Sequence, residues 1–199
     1  MVNDLTKRSR STGARTERHC PVNVLVLLGS LREGSSSRRL TEAATAELGE
    51  DVTVEVSELP RLLPHYDQDL DRSETLPDPV AAFRAQVAAA DALLVVTPEY
   101  NGSLPGVLKN AIDWASRPRG ASSLDGLRAA VLSVSPSPRG AQWAREDAVK
   151  VLTVAGASVE DRAAGLGSSG AVLGEHLDLP ALEAVRSVVR SLTAVPVAA

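Results

Sequence analysis

Apolar residues in this chain occur in two alternating patterns. Short unbroken runs are separated by stretches in which apolar positions recur every three or four residues. VNVLVLL (22–28), ALLVV (92–96) and RAAVLSV (128–134) are runs of the kind that fill strands buried on both faces. DVTVEV (51–56) predicts a further strand, and a short, weakly marked fifth is expected within 157–162. Between them, helical spacing predicts a helix over about 35–48, with Leu40, Ala43, Ala44 and Leu48 on one face. A second is expected over 77–90, with Val80, Phe83 and Val87 aligned. A third starts near Pro105, where a missing N–H costs nothing, and carries Val107, Leu108, Ala111, Ile112 and Ala115. Two more are expected, over 140–155 (Ala144, Ala148, Val151, Leu152) and 180–193 (Leu182, Val185, Val189, Leu192). Alternation of this kind predicts an α/β fold with a parallel sheet covered on both faces. Ligands of such sheets bind beyond the carboxyl ends of the strands. That points to the loops GSLREGSSSR, TPEYNGSLP and SPSPRG, after the first, third and fourth strands in the order given by the helical crossovers.

Composition narrows the class. The 199 residues are 44% hydrophobic and 23% charged, as expected of a water-soluble domain with a sizeable core. No apolar run approaches the roughly 18–20 residues of a membrane span, and the first 21 residues lack the apolar stretch of a secretory signal. The single cysteine, Cys20, has no internal disulfide partner. Together with three scattered histidines it gives none of the common zinc layouts. A cytoplasmic location is the expectation. Net charge is −4, which gives no general attraction to nucleic acid or membrane. Residues 1–21 carry Lys7, Arg8, Arg10, Arg15 and Arg18 against Asp4 and Glu17. They read as a basic tail without fixed structure, which is either a weak anionic contact or an extension with no role. Residues 22–199 are expected to form one domain.

The first loop has the chemistry of a phosphate-monoester site. Gly29 lets the chain turn off the strand, and Ser30, Ser35, Ser36 and Ser37 offer hydroxyls. Arg32 offers a forked donor, and the following helix offers free N–H groups. The loop has neither the lysine of a P-loop nor the three spaced glycines of a dinucleotide fingerprint. The same residues also fit an ordinary serine-capped turn. The second loop sets a proline, an acid, an aromatic, an asparagine and a glycine directly after a buried strand. It can lay amides and a ring against a flat heterocycle, or it can simply be an Asn-Gly turn before a proline-started helix.

These two stretches resemble the NADPH-dependent FMN reductase family, which includes quinone, azo-dye and chromate reductases. Gly29, Ser30, Arg32 and Ser35 follow the family's first motif. Pro98, Glu99, Tyr100, Asn101, Ser103, Pro105, Gly106 and the run Leu108–Trp114 follow its second, longer and more specific motif. Ser37 departs from the pattern, standing where the family has asparagine. The resemblance implies a flavodoxin-like doubly wound, five-stranded sheet of order 2-1-3-4-5. It implies FMN, with the phosphate on Ser30, Arg32, Ser35 and Ser37. The isoalloxazine would be lined by Pro98, Glu99, Tyr100, Asn101 and Gly102, and the loop 135–140 would close the other side. It further implies NADPH or NADH as hydride donor to flavin N5. A small acceptor (flavin, quinone, azo compound or chromate) would then be reduced by ping-pong kinetics, in a homodimer or homotetramer.

In such chemistry the flavin does the redox work and no side chain is needed as acid, base or nucleophile. Glu99 and Asp113 are therefore read as structural. Tyr100 fits ring stacking or a subunit contact equally, Trp114 fits the core or an interface, and Arg139 fits a solvated loop position or a nucleotide phosphate. GLGSSG (165–170) spells a dinucleotide motif but lacks the strand–helix context, so it is expected to be a flexible loop. His65, in PHYD, has no second metal ligand nearby, and His19 and His176 read as surface residues. The competing readings are a flavodoxin-like electron carrier and an FMN-binding protein without turnover.

Overall fold

The computed structural model describes residues 21–72, 74–159, 163–173 and 177–193. The basic tail, His19, Cys20 and His176 lie outside the described residues. Five parallel strands, β1 (Val22–Leu28), β2 (Val52–Val56), β3 (Ala92–Thr97), β4 (Arg128–Val134) and β5 (Ala163–Leu166), form one sheet in the order β2-β1-β3-β4-β5. This is the flavodoxin-like order. The chain moves outward one way from β1 to β2 and the other way from β3 to β5. A crevice therefore opens beyond the carboxyl ends of β1 and β3. β3 is buried throughout and β1 from Val24 onward, and Leu28 pairs with Val96 at their last shared register position.

Successive strand residues point to opposite faces, which divides the core in two. Leu25, Leu27, Leu93, Val95 and Val131 pack under α2 (Asp78–Ala88), α3 (Gly106–Ala115) and α4 (Gln142–Val154). Val24, Val26, Leu94, Val96 and Leu132 pack under α1 (Ser36–Thr45) and α6 (Leu179–Thr193). Most positions of the predicted helix stripes are buried, among them Leu40 and Ala44, Val80, Phe83 and Val87, Leu108 and Ile112, Ala148 and Leu152, Val185 and Val189, while Ala43, Leu48, Val107, Val151 and Leu182 are half-buried.

Helix α1 is shorter than its apolar spacing suggests. The Ser35 hydroxyl accepts from the Arg38 amide at 3.2 Å and starts the helix one residue late. At the other end, Glu47 and Leu48 donate to Ala44 and Thr45, so the last turn tightens to i→i+3 bonds. The fifth strand also lies later than expected. Ser158 makes one bridge to Arg128, and the ladder proper runs over Ala163–Leu166. AAGL has no apolar run because β5 is an edge strand with a partner on one side only.

The GLGSSG segment is not a flexible loop. Gly165 and Leu166 are in β5, and Ser169 and Gly170 open a short helix, α5 (Ser169–Val172). A side chain at 165 would collide with the Arg145 guanidinium, and one at 167 with the Pro138 carbonyl. These glycines exist for close packing.

Candidate functional site

Gly29 brings the ends of β1 and β3 together. Its amide donates to the Val96 carbonyl at 2.8 Å, and a Cβ there would stand 2.8 Å from the Pro98 ring and 2.9 Å from Thr97 Oγ1. The first and second loops are thus in contact at the crevice. In the first loop Ser30, Ser35 and Ser37 are buried and Arg32 is exposed. The Ser35 hydroxyl is used as the α1 cap. The Ser37 hydroxyl is buried and has no hydrogen-bond partner among the described residues. Arg32 has no ion-pair partner among the described residues. Arg38, by contrast, is paired with Glu58 at 3.0 Å, and Glu58 also holds Arg61.

In the second loop Tyr100 and Ser103 exchange backbone hydrogen bonds, each of 3.1 Å. Asn101 and Gly102 between them have φ of 52° and 73°. Two successive positive φ values define the type I′ turn, which explains why Asn-Gly stands there. The Glu99 side chain leaves this loop for α4. Its Oε2 accepts from the Trp143 and Ala144 amides at 3.0 and 3.2 Å. Helix α4 has no side-chain cap of its own, since Ala141 occupies that position, so Glu99 caps it from across the fold. On the same side Ser103 Oγ donates to Asp147 at 2.7 Å. The hydrogen bonds from Lys150 and from Ser103 hold the Asp147 carboxyl below the usual carboxylate range.

Trp143 lies outside both sequence motifs, yet it belongs here. It is half exposed, and its ring lies where a Cβ on Gly102 would be 3.2 Å away. The Arg139 guanidinium sits 5.2 Å from its ring centroid. Tyr100, on the other side of the turn, is also half exposed. The available signal was compositional: the chain has two tryptophans, and one follows the third candidate loop by three residues.

The third loop is closed by its own hydrogen bonds. Ser135 Oγ and the Ser137 main chain bond to each other in both directions, and Gly140 donates to the Ser137 carbonyl. Ser168 and Ser169 amides close onto Ser137 and Ser135 from the β5 side. Beneath it, Ser133 Oγ donates to the Gly140 carbonyl at 2.6 Å and accepts from Arg145.

The remainder of the second motif is structural. Trp114 is fully buried, and its indole N–H donates to the Pro64 carbonyl at 2.8 Å. Asn110 donates to that carbonyl and accepts from the Tyr66 amide. Asp113 pairs with Lys109 along the helix. His65 is exposed, and no group of three or more His, Cys, Asp or Glu among the described residues is placed to hold a metal.

Residues 22–169 match the family model described as NADPH-dependent FMN reductase. The chain belongs to that family. Among curated proteins, this NADPH-dependent FMN reductase family member is 43% identical over 114 residues to a 2-hydroxy-1,4-benzoquinone reductase of a Burkholderia species. That match covers 57% of the chain and 61% of the relative. It is 42% identical over 118 residues to a quinone reductase of Pseudomonas putida, covering 59% and 62%. The chain thus spans about six-tenths of the length of these curated relatives. Among solved structures, the flavoenzyme FerB, an NAD(P)H:(acceptor) oxidoreductase from Paracoccus denitrificans, superposes with a TM-score of 0.71 at 29% identity, covering 86% of this chain and 94% of FerB.

Proposed function

We propose that the protein is an FMN-dependent NAD(P)H oxidoreductase that reduces a small acceptor of the flavin, quinone, azo-compound or chromate type. The observation that carries this reading is the pairing, across Gly29, of a serine- and arginine-bearing loop with the Asn-Gly turn at one crevice. The family membership and the quinone reductases among its relatives support the same chemistry.

The first loop fits a phosphate monoester. A buried hydroxyl without a partner costs about 1–3 kcal/mol, and Ser37 carries one at the start of α1. A phosphate oxygen accepting from it would remove that cost. Arg32, with no carboxylate paired to it among the described residues, has its donors available. Ser30, Arg32, Ser35 and Ser37 are assigned to the phosphate. Ser35 contributes through the start of the helix that it caps, since its own oxygen is already accepting. Pro98, Glu99, Tyr100, Asn101 and Gly102 are assigned to the ring system. Glu99 serves through its backbone, because its carboxylate is committed to α4. FMN bound here would supply the two-electron hydride chemistry that links NADPH or NADH to the acceptor. The protein's part is to bind, orient and exclude water. No side chain here is assigned a proton-transfer role, and Asp113 is committed to Lys109.

Residues 22–199 are taken as one functional unit, working in the cytoplasm. No described helix is long and apolar enough to cross a membrane. A homodimer or homotetramer is supported by an open groove between the last turns of α3 and α4, where Val154 is 83% exposed beside Ile112 and Val151.

The deciding experiment is a visible spectrum of the protein mixed with FMN and desalted, followed by anaerobic NADPH or NADH. The expected outcome is flavin absorbance that stays with the protein and bleaches promptly, then returns when a quinone is added. Retained flavin that neither nucleotide bleaches would support an electron carrier or an inactive flavin binder. Flavin lost on desalting would remove the phosphate-site assignment.

A further inference from the structure

We propose that Arg139, laid against Trp143, receives the 2′-phosphate of NADPH and sets a preference for NADPH over NADH. The inference rests on the reductase reading above. Its starting point is an exposed cation held in place without an acid. Arg139 stands in the loop after β4, at the ligand-binding edge of the sheet, and no carboxylate pairs with it among the described residues.

Each acid nearby on α4 or the second loop has another partner. Glu99 takes the first amides of α4, Glu146 takes the Gln142 amide, and Asp147 takes Ser103 and Lys150. Arg145, the other arginine of this region, turns inward to Ser133 and Gly140.

The loop's backbone offers nothing to an anion. Pro136 and Pro138 have no N–H, and the amides of Ser135, Ser137, Arg139 and Gly140 are all used within the fold. Anion recognition by this loop therefore falls to the Arg139 side chain.

That side chain is pre-organised. Its guanidinium lies over the Trp143 ring, and Trp143 is seated against the Gly102 backbone of the second loop. A planar guanidinium on an indole keeps its edge N–H donors directed outward, in the fork that matches a phosphate dianion. A phosphomonoester carries more charge than one pyrophosphate oxygen and presents more oxygens to a fork. The 2′-phosphate is also the one group that separates NADPH from NADH, so an arginine that binds it acts on the difference between them.

The test uses FMN-loaded full-length protein, as wild type, Arg139→Ala, Arg139→Lys and Trp143→Leu. Calorimetry measures binding of adenosine 2′,5′-bisphosphate and adenosine 5′-monophosphate, and steady-state kinetics give kcat/KM for NADPH and NADH. Wild type is expected to bind the bisphosphate at least tenfold more tightly, with a matching ratio of kcat/KM. Arg139→Ala should bring both ratios to within twofold of unity, and Arg139→Lys should fall between. Trp143→Leu should raise KM for NADPH more than it lowers kcat, as a positioning residue would.

A ratio unchanged in Arg139→Ala overturns the inference. So does an equal loss for both nucleotides, which would place the contact on the part they share. Wild type that is reduced by both nucleotides without preference overturns this inference alone. Wild type that fails to retain FMN, or to be reduced by either nucleotide, overturns the reductase reading and this inference with it.

Discussion

At the scale of single residues, the phosphate loop separates stability from binding. Ser37 is buried with an unpartnered hydroxyl, so Ser37→Ala removes a cost from the empty protein and a donor from the loaded one. Thermal melts without FMN are expected to show no loss of stability in this variant. FMN affinity should fall about tenfold, the worth of one hydrogen bond to a charged group. Arg32→Ala should weaken FMN by about 10- to 100-fold with the apo fold intact, since Arg32 is exposed and contributes no ion pair among the described residues. A fluorescence titration reads both. Equal FMN affinity in wild type and Arg32→Ala would take the phosphate away from this loop. Ser37 was visible in the sequence as a departure from the family motif. Its burial was not, because which side of a capped first turn faces inward depends on where α1 lands on the sheet.

At the scale of elements, the apolar runs of β1, β3 and β4 are legible because central strands are covered on both faces and need nothing but apolar side chains. β5 is not legible. As an edge strand it owes its place to β4 and to glycines that admit Arg145 and Pro138. The second motif is legible as a signature while its division of labour is not. Trp114 reads in the sequence as core or interface and Asn110 only as a member of the motif; both bond to the Pro64 carbonyl and anchor the segment after β2. Glu99 illustrates the same limit, since its partner is 44 residues away at the start of α4. Its removal has a defined consequence. Glu99→Ala leaves two first-turn amides of α4 without their acceptor, which is expected to cost about 1 kcal/mol and lower Tm by about 2–4 °C. Glu99→Gln, which keeps an oxygen acceptor, should recover part of that loss. Calorimetric melts of the three proteins check this, and a Glu99→Ala protein as stable as wild type would show that the cap is idle. Ser103 and Asp147 make the second tie between the same elements. Because Lys150 and then Ser103 hold Asp147 below its ordinary range in the folded state, the stability these contacts contribute is present above about pH 3.8 and is lost as pH falls through the depressed folded value.

At the scale of the whole molecule, the two ends of α4 have different relations to solvent. Its first turn joins the crevice through Glu99, Trp143 and the Asn-Gly turn. Its last turn exposes Val154 beside a groove of about 600 Å³ that also takes in the end of α3 and is rimmed by Lys109, Asp113, Arg119 and Lys150. A lone exposed valine means little, but an apolar floor with charges of both signs at its rim is what a self-complementary contact uses. A second copy related by a two-fold axis would meet this groove with the same residues. If the proposed homo-oligomer forms here, Val154→Lys buries an unpaired charge at the centre of the contact, a penalty that a typical interface does not withstand. Light scattering coupled to gel filtration should give wild type the mass of two or four chains and Val154→Lys the mass of one. Far-UV circular dichroism of the variant should be unchanged, since Val154 contributes little to the core of its own chain. Single-chain mass for wild type would dismiss the oligomer. A Val154→Lys protein that stays assembled would keep the oligomer and move its contact to another face. FMN affinity measured on the dissociated variant then answers a question the single chain poses. Both loops of the crevice, together with Trp143, come from one copy, so the flavin site is expected to survive dissociation.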